Sequence, residues 1–583
     1  MNDGLATAGQ QSHRSWDATS ARGLPMGWGV FFACWAAAAA IALVLGRDAS
    51  WDLRHYHYYN AYALLEGRWA VDLAPARAHS FLHPGLDLPF YLLTRSPLNA
   101  WPRAVAVLQA GYAGLLAFLT LAVANLACHG AAGRATAASG LVACFGLTGA
   151  ATLPEVGATY NDIQVGCLVV GALLALLLAA GADDARQAPR AARLRLLAGA
   201  LGGCAVGLKL TAAVFPPALA LAAAVSAQGS AAARARGVGL LSLGGALGFT
   251  AAYGPWGWFL WERFGNPFGP FFNDVFRSPL FPPDGQRDLR FLPDGLAEAV
   301  VYPLLWARRS EGVVLEPPLA DPRFAVGLAA LLLAVAAETW RRLRSSGHFG
   351  ATRAAAGPRG DPAEQATARA GRAVIAFVLA GYVTWLGAFS ILRYAVPIEA
   401  LLGIPVWAAA RELLLLAATP ACGRMPSAGW WRGGATLGVA TALGVCALAT
   451  EYPAHPREPF AWKPEPDGAA AVAVGRIALP EDSLVAMIGP AVSFVAPFLD
   501  GAGVRFIGGP NAEWAGAAAD PASYAARVLR AVRSHQGPAF VLLEYPDSYD
   551  QEAADMLGVG FDRAACRPVA NNLTRVVQLC RWR

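Results

Sequence analysis

The stretch Asp48-Ala-Ser-Trp-Asp52-Leu-Arg-His55-Tyr56-His57-Tyr-Tyr59-Asn60-Ala-Tyr62-Ala63-Leu-Leu-Glu66-Gly-Arg68 follows the first long apolar run of the chain, Trp28 to Leu45. Read at helical period, Asp52, Tyr56, Tyr59, Ala63 and Glu66 fall on one face. Four tyrosines and two histidines beside an apolar run suit a helix lying in a membrane interface, ring bodies in lipid and polar tips in water. Asp52 then stands at the mouth of whatever the other spans enclose. Polar chemistry first meets the membrane here.

Outward from this stretch the chain is greasy. Of 583 residues, 56% are hydrophobic and only 15% are charged, against about 25% charged in soluble domains. That composition is one of an integral membrane protein. The net charge of +6 is almost all arginine, since lysine stands only at 209 and 463. The arginines fall mainly in short loops between apolar runs, a topology signal rather than a phosphate-binding face, so nucleic acid is not expected as a partner. No small-residue cleavage site clearly follows the first run, so no cleavable signal peptide is expected.

A bilayer core takes roughly 20 apolar residues per helix. Eleven runs qualify, two of them short: Trp28–Leu45, Ala104–Cys128, Ala135–Leu153, Ile163–Ala182, Leu194–Leu208, Leu210–Ala227, Gly237–Trp261, Phe324–Trp340, Ala373–Leu392, Ala395–Leu416 and Ala435–Thr450. With a cytoplasmic tail over 1–27, parity assigns Arg134, Arg186, Arg190, Arg193, Arg195, Arg234, Arg236 and the run from Arg341 through Arg353 and Arg359 to Arg372 to the cytoplasm. The loops 47–103, 154–162 and 262–323 then lie outside, mixing arginine with comparable numbers of acids. Parity and the positive-inside rule agree on this orientation, with the tail in the cytoplasm.

Lys209 interrupts segment 194–227, where two short helices meeting near Gly207-Leu-Lys209-Leu-Thr211 form a hairpin with its tip toward the outer face. A lysine at that depth faces a partner or a cavity, or snorkels to the interface. Residues 345–370 read as a flexible linker, and Leu296 to Trp306 as a second interfacial helix. After Thr450 the chain is too polar to span. Over 451–583, Ser483–Gly489, Val504–Gly508 and Ala539–Tyr545 read as buried strands and Tyr524–Val532 as a helix, a small extracytoplasmic α/β domain. Cys566 and Cys580 flank a hairpin signal and could form a disulfide in an oxidising compartment.

Asp52, Glu155, Asp162 and Glu399 stand at the outer ends of spans, with Lys209 and Arg393 at the same level. Acids there can take a proton from an acceptor hydroxyl or hold a divalent cation. Lysine and arginine suit a phosphate, arginine with a bidentate fork. Each has a plainer reading: Asp52 and Asp162 as helix caps, Glu155 and Glu399 as solvated or locally paired acids. His55 and His57 point to different helix faces, and Pro84 weakens the His79/His83 spacing, so no metal site is assigned. No P-loop, Ser-His-Asp or CxxC pattern occurs.

The layout over 28–450 resembles the GT-C superfamily of integral-membrane glycosyltransferases: a long first outer loop with an acid just after span one, a second acid at the outer end of a later span, and a soluble C-terminal domain. Asp72-Leu-Ala-Pro75, His83-Pro-Gly-Leu-Asp87-Leu-Pro89-Phe-Tyr91, Gly207–Thr211 and Arg393-Tyr394-Ala-Val-Pro397-Ile-Glu399 are similar to a bacterial subgroup of this architecture. The resemblance implies a mostly α polytopic bundle of about eleven spans, a polyprenyl-phosphate sugar donor and inversion at the anomeric centre. It implies Asp52 as catalytic base and Asp162 as second acid. Leu53 follows Asp52 where mannosyltransferases of that superfamily have paired acids, which leaves metal and acceptor open.

On this expectation Lys209, Arg393, Tyr394, Glu399, Glu155, His55 and Tyr56 bind substrate, and burial makes Asp52 more basic. A transporter or flippase would show repeated span patterns, which are not seen. A silent scaffold would have no need for these acids to converge.

Overall fold

The structure, a computed structural model, describes residues 26–129, 135–182, 187–283, 285, 288–348, 362–418, 428–460, 470–489, 491–509, 520–544, 548–574 and 576–582. The N-terminal tail to residue 25, the linker core 349–361, and the loop arginines Arg134, Arg186, Arg353 and Arg359 lie outside the described residues.

All eleven apolar runs are helical. Among the described residues eight helices are long and apolar enough to cross a membrane: Trp28–Leu45, Pro102–His129, Asp162–Gly181, Ala188–Leu208, Ala231–Phe264, Arg323–Leu343, Glu364–Ala388 and Gly429–Ala449. The pair Leu392–Glu399 and Gly403–Ala418, bent by 46°, passes the same test together. Two are shorter, Leu210–Ser226 and Ala137–Leu147. The run expected over 135–153 thus gives a helix of only 11 residues, about 16 Å of rise. It stops at Leu147; Gly149 then lies so close to Glu399 that a Cβ there would stand 2.2 Å from the carboxyl, and the backbone beyond donates to that carboxylate.

The tightest pair is Ala188–Leu208 against Ala231–Phe264. Cβ atoms at Gly199, Gly203, Gly244 and Gly248 would lie 2.0–2.2 Å from carbonyl oxygens of the facing helix. Small residues four apart let two backbones touch, the usual means of helix association in lipid. Helix Ala188–Leu208 ends at Lys209, a turn Leu210–Val214 follows, and Phe215–Ser226 returns. This is the expected hairpin, with the lysine at its tip.

The outer loops and the C-terminal domain gather at one end of the bundle. Strand β1 (Arg47–Asp48) pairs antiparallel with β2 (Arg457–Glu458). Thr159 donates to Asp48, and Tyr524 N to Leu280 O. In the domain, β3 (Ile477–Ala478) and β5 (Leu499–Asp500) form a parallel pair. Strands β4 (Leu484–Met487), β6 (Arg505–Gly508), β7 (Ala539–Leu543), β8 (Arg567–Pro568) and β9 (Gln578–Arg581) form a sheet in the order β6-β4-β7-β9-β8. Cys566 and Cys580 are disulfide-bonded beside the β8–β9 pair.

The tyrosine-rich stretch corrects one expectation. Its rings are buried in protein, not in lipid: Leu53, Tyr58, Tyr59, Ala61 and Ala63 share a core with Phe494, Val495, Phe498 and Phe506 of the C-terminal domain. Protein satisfies both ends of each ring. Tyr59 donates to Asp72 at 2.8 Å, and Tyr58 accepts from Thr94 at 3.3 Å, so a lipid interface is no longer needed to reconcile ring and hydroxyl.

Candidate functional site

Asp48 fixes the start of the first loop, accepting from Ser50 N and Thr159 N at 2.9 Å and from the Thr159 hydroxyl at 2.7 Å. The chain then winds as a π-turn over Leu53–His57 before the helix Tyr58–Leu65. Such wide turns concentrate where a helix must aim side chains unusually. Asp52 pairs with Arg393 and accepts from the Tyr56 hydroxyl at 3.2 Å. Arg54 pairs with Glu544 of the C-terminal domain, and Ser493 donates to His55 O.

Arg393 comes from the turn Leu392–Ala395 at the break of the bent pair. Its guanidinium lies 5.5 Å from the Tyr160 ring and 5.4 Å from that of Tyr394, within cation–π range. Lys209 donates to Asp162 Oδ1 at 2.6 Å and to Tyr160 O at 3.0 Å, with its Nζ 5.1 Å from the Tyr394 ring. Asp162 opens its helix behind Asn161, so it serves the helix N-terminus and Lys209 at once. Glu155, only 2% exposed, closes the group. Neither of its carboxyl oxygens has a hydrogen-bond partner, nor do Asp162 Oδ2 and Arg393 Nε.

Burial pushes the Asp52 carboxyl up, but the charge and hydrogen bond of Arg393 lead the opposing effects that hold the acid well below the usual range. Burial therefore does not make Asp52 more basic, contrary to expectation. Glu155 goes the other way: burial first, then the charge of Asp162, push its carboxyl well above the usual range. His79, packed 5.0 Å from the Tyr56 ring, is pushed down by burial to about 4. Among the described residues no group of three or more His, Cys, Asp or Glu is arranged to hold a metal ion. Asp52 and Asp162 each already hold a side-chain cation.

No family model and no curated protein matches the chain. Solved structures do resemble it. ArnT from Cupriavidus metallidurans bound to undecaprenyl phosphate is 14% identical at a TM-score of 0.43, covering 94% of this chain and 97% of that one. Its apo state is 13% identical at 0.44, covering 94% and 98%. The Archaeoglobus fulgidus oligosaccharyltransferase is 15% identical at 0.37, covering 90% and 59%. At these identities and scores the likenesses carry no argument about this chain.

Of the residues singled out in the sequence, Asp52, Glu155, Asp162, Lys209, Arg393, Tyr394 and Tyr56 come together. His55 lies beside them, its ring 4.1 Å from that of Trp51 and 5.0 Å from that of His79. Glu399 does not join them. Its carboxylate accepts from Ala151 N at 3.0 Å, Thr152 N at 2.8 Å and the Thr152 hydroxyl at 2.6 Å, and it lies near Asp321 and Arg323. Six residues after Arg393, it has passed the turn and faces the loop that follows the short helix Ala137–Leu147. His83 is drawn off to Ala252 O at 3.1 Å. Sequence reasoning assigned no role to Tyr160, His57, Asp87 or Asn161. Asp87 stood in a quoted motif, but only the fold brings it to His57.

Proposed function

We propose that the chain is a GT-C-type membrane glycosyltransferase, moving a sugar from a polyprenyl-phosphate donor to an acceptor hydroxyl with inversion. The site faces the outer side of a bacterial inner membrane on this proposal, because the arginine-rich loops join the other ends of the spans. One observation carries the reading. Two cations and three carboxylates from stretches far apart in sequence meet under the C-terminal domain, with buried polar atoms still unpartnered.

Arg393 and Lys209 bind the donor phosphate by exchanging a carboxylate for it. The unpartnered Arg393 Nε supplies one arm of a bidentate fork. Asp52, kept anionic at the site, helps to orient the acceptor oxygen toward the anomeric carbon. Its fixed charge also favours the positive charge that develops there. The bond to the phosphate oxygen breaks with its electron pair on polyprenyl phosphate, a competent leaving group that needs no acid. Asp162 holds Lys209 in place, and no step is routed through a metal.

The test is undecaprenyl phosphate titrated into the purified chain in nanodiscs, followed by native mass spectrometry. Wild type binds it, and Arg393→Ala and Lys209→Ala each weaken binding roughly tenfold to hundredfold. Absence of binding by the wild type, together with no release of undecaprenyl phosphate from any sugar-loaded donor, would sink the proposal in favour of a scaffold.

A further inference from the structure

The electrostatics of Asp52 leave a question open: what takes the acceptor's proton. A carboxylate paired with an arginine and held below the usual range is a poor sink for it. The same π-turn carries a second group. His57 Nδ1 lies 2.6 Å from Asp87 Oδ1, and Asn161 Nδ2 donates to that same oxygen at 2.7 Å. The imidazole is 5% exposed and Asp87 6%. A carboxylate can only accept, so Nδ1 carries the hydrogen, and in the neutral form of the ring Nε2 is the acceptor. That Nε2 is buried and has no partner.

An orphaned buried nitrogen is costly, so its retention calls for a use. His57 lines a small cleft with Asp87, Gln109, Thr159 and Asn161, walled by Tyr58, Phe90 and Tyr91. Gln109 Oε1 in the same cleft also lacks a partner. The charged and titratable groups around His57 are Asp52 and Tyr56 on its own segment, Asp87, His79 and, beyond Asp52, Arg393.

We infer that His57 is the proton acceptor of the transfer, with Asp87 as its positioning residue. This rests on the glycosyltransferase reading. The acceptor oxygen bonds to the anomeric carbon while the bond from that carbon to the donor phosphate oxygen breaks, its electron pair leaving on polyprenyl phosphate. The hydroxyl proton passes to His57 Nε2. The imidazolium so formed is bonded to Asp87 and lies within the electrostatic reach of Asp52, and both stabilise it. Asn161 joins this pair to the first turn of the helix that carries Asp162. The proton is then lost to water, restoring the neutral ring.

Asp87→Asn makes the sharpest probe. An asparagine amide in that place donates to Nδ1, which moves the ring hydrogen to Nε2 and turns the acceptor into a donor while the packing stays. The experiment measures release of undecaprenyl phosphate from undecaprenyl-phosphate sugars by the full chain in nanodiscs, across pH 5 to 9, beside undecaprenyl phosphate binding and the thermal midpoint. Expected are losses of about hundredfold for His57→Gln and Asp87→Asn, with binding within about twofold of wild type. Asp87→Glu should recover part of the rate, and the limb in which the wild-type rate rises with pH should vanish in His57→Gln.

Release by both His57→Gln and Asp87→Asn within about threefold of wild type, with that limb intact, overturns the proposal and leaves the glycosyltransferase reading standing. If one variant fails to fold, the other decides. A wild type that neither binds undecaprenyl phosphate nor releases it overturns both.

Discussion

Two buried charge clusters stand at the same end of the bundle, and they differ in what is left over. In one, Asp321, Arg323 and Glu399 meet the loop 148–152. Arg323 donates to Asp321 at 3.0 Å, to Phe145 O at 2.9 Å and to the hydroxyls of Thr450 at 2.6 Å and Thr148 at 3.2 Å. Asp321 also accepts from Ala150 N at 2.7 Å. Glu399 is filled by Ala151 and Thr152, and no side-chain polar atom of Asp321, Arg323 or Glu399 is left over. In the other cluster, three carboxylate oxygens of Glu155 and Asp162 and one Arg393 nitrogen remain unpartnered. Burial and charge are common to both. Unspent hydrogen-bonding capacity marks only the second, as expected if the first is a brace and the second the proposed site.

The contrast can be broken at its strongest point first. Arg323→Met leaves Asp321 and Glu399 buried without their cation, a loss of about 3–5 kcal/mol in stability. It should appear as a large drop in thermal midpoint with undecaprenyl phosphate affinity little changed in whatever remains folded. Asp52→Asn should weigh on the other side, cutting release of undecaprenyl phosphate by roughly a hundredfold to a thousandfold, with a smaller fall in midpoint than Arg323→Met from the lost pairing with Arg393. Near-wild-type release would remove Asp52 from the chemistry. Lys209→Met comes next, with affinity down roughly tenfold to hundredfold. If it also lowered the midpoint as far as Arg323→Met, the two clusters would be of one kind.

Acidity separates the site's own carboxyls. Asp52 is depressed in the fold, so its pairing contributes above the unfolded range near pH 4 and fades only as pH falls below it. Glu155 is raised, so its contribution is full below the unfolded value and is lost as pH climbs through the folded one. The thermal midpoint of Glu155→Gln should therefore fall less than that of the wild type between pH 5 and 9. Equal slopes would mean that Glu155 titrates as an ordinary acid. The smallest effect is expected for Tyr56→Phe, which removes one donor from Asp52 and should cost about fivefold in release.

Much of this was legible in the chain itself. Apolar runs gave all eleven helices, the lone lysine gave the hairpin tip, and Gly- and Pro-bounded runs gave the strands β4, β6 and β7. The second acid and both cations were readable because ionisable groups at membrane depth are costly and must meet something. Three things were not readable. Tyr58 and Tyr59 carry the same amphipathic signal whether the apolar partner is lipid or a folded domain, so their burial against Phe494 and Phe506 could not be read locally. Glu399 and Arg393 sit six residues apart, and only the turn between them sends one to the brace and the other to the site. The pairing of His57 with Asp87 spans a loop of short turns whose closure has no periodic signature.

Arg54 and Glu544 lie 490 residues apart in the chain. At roughly 5–20 residues per second of synthesis, the segment bearing Asp52 is made about half a minute to a minute and a half before its clamp exists. On the proposed function, a nascent chain inserted before Glu544 is made lacks this clamp, and its activity is expected only when the last-made part arrives.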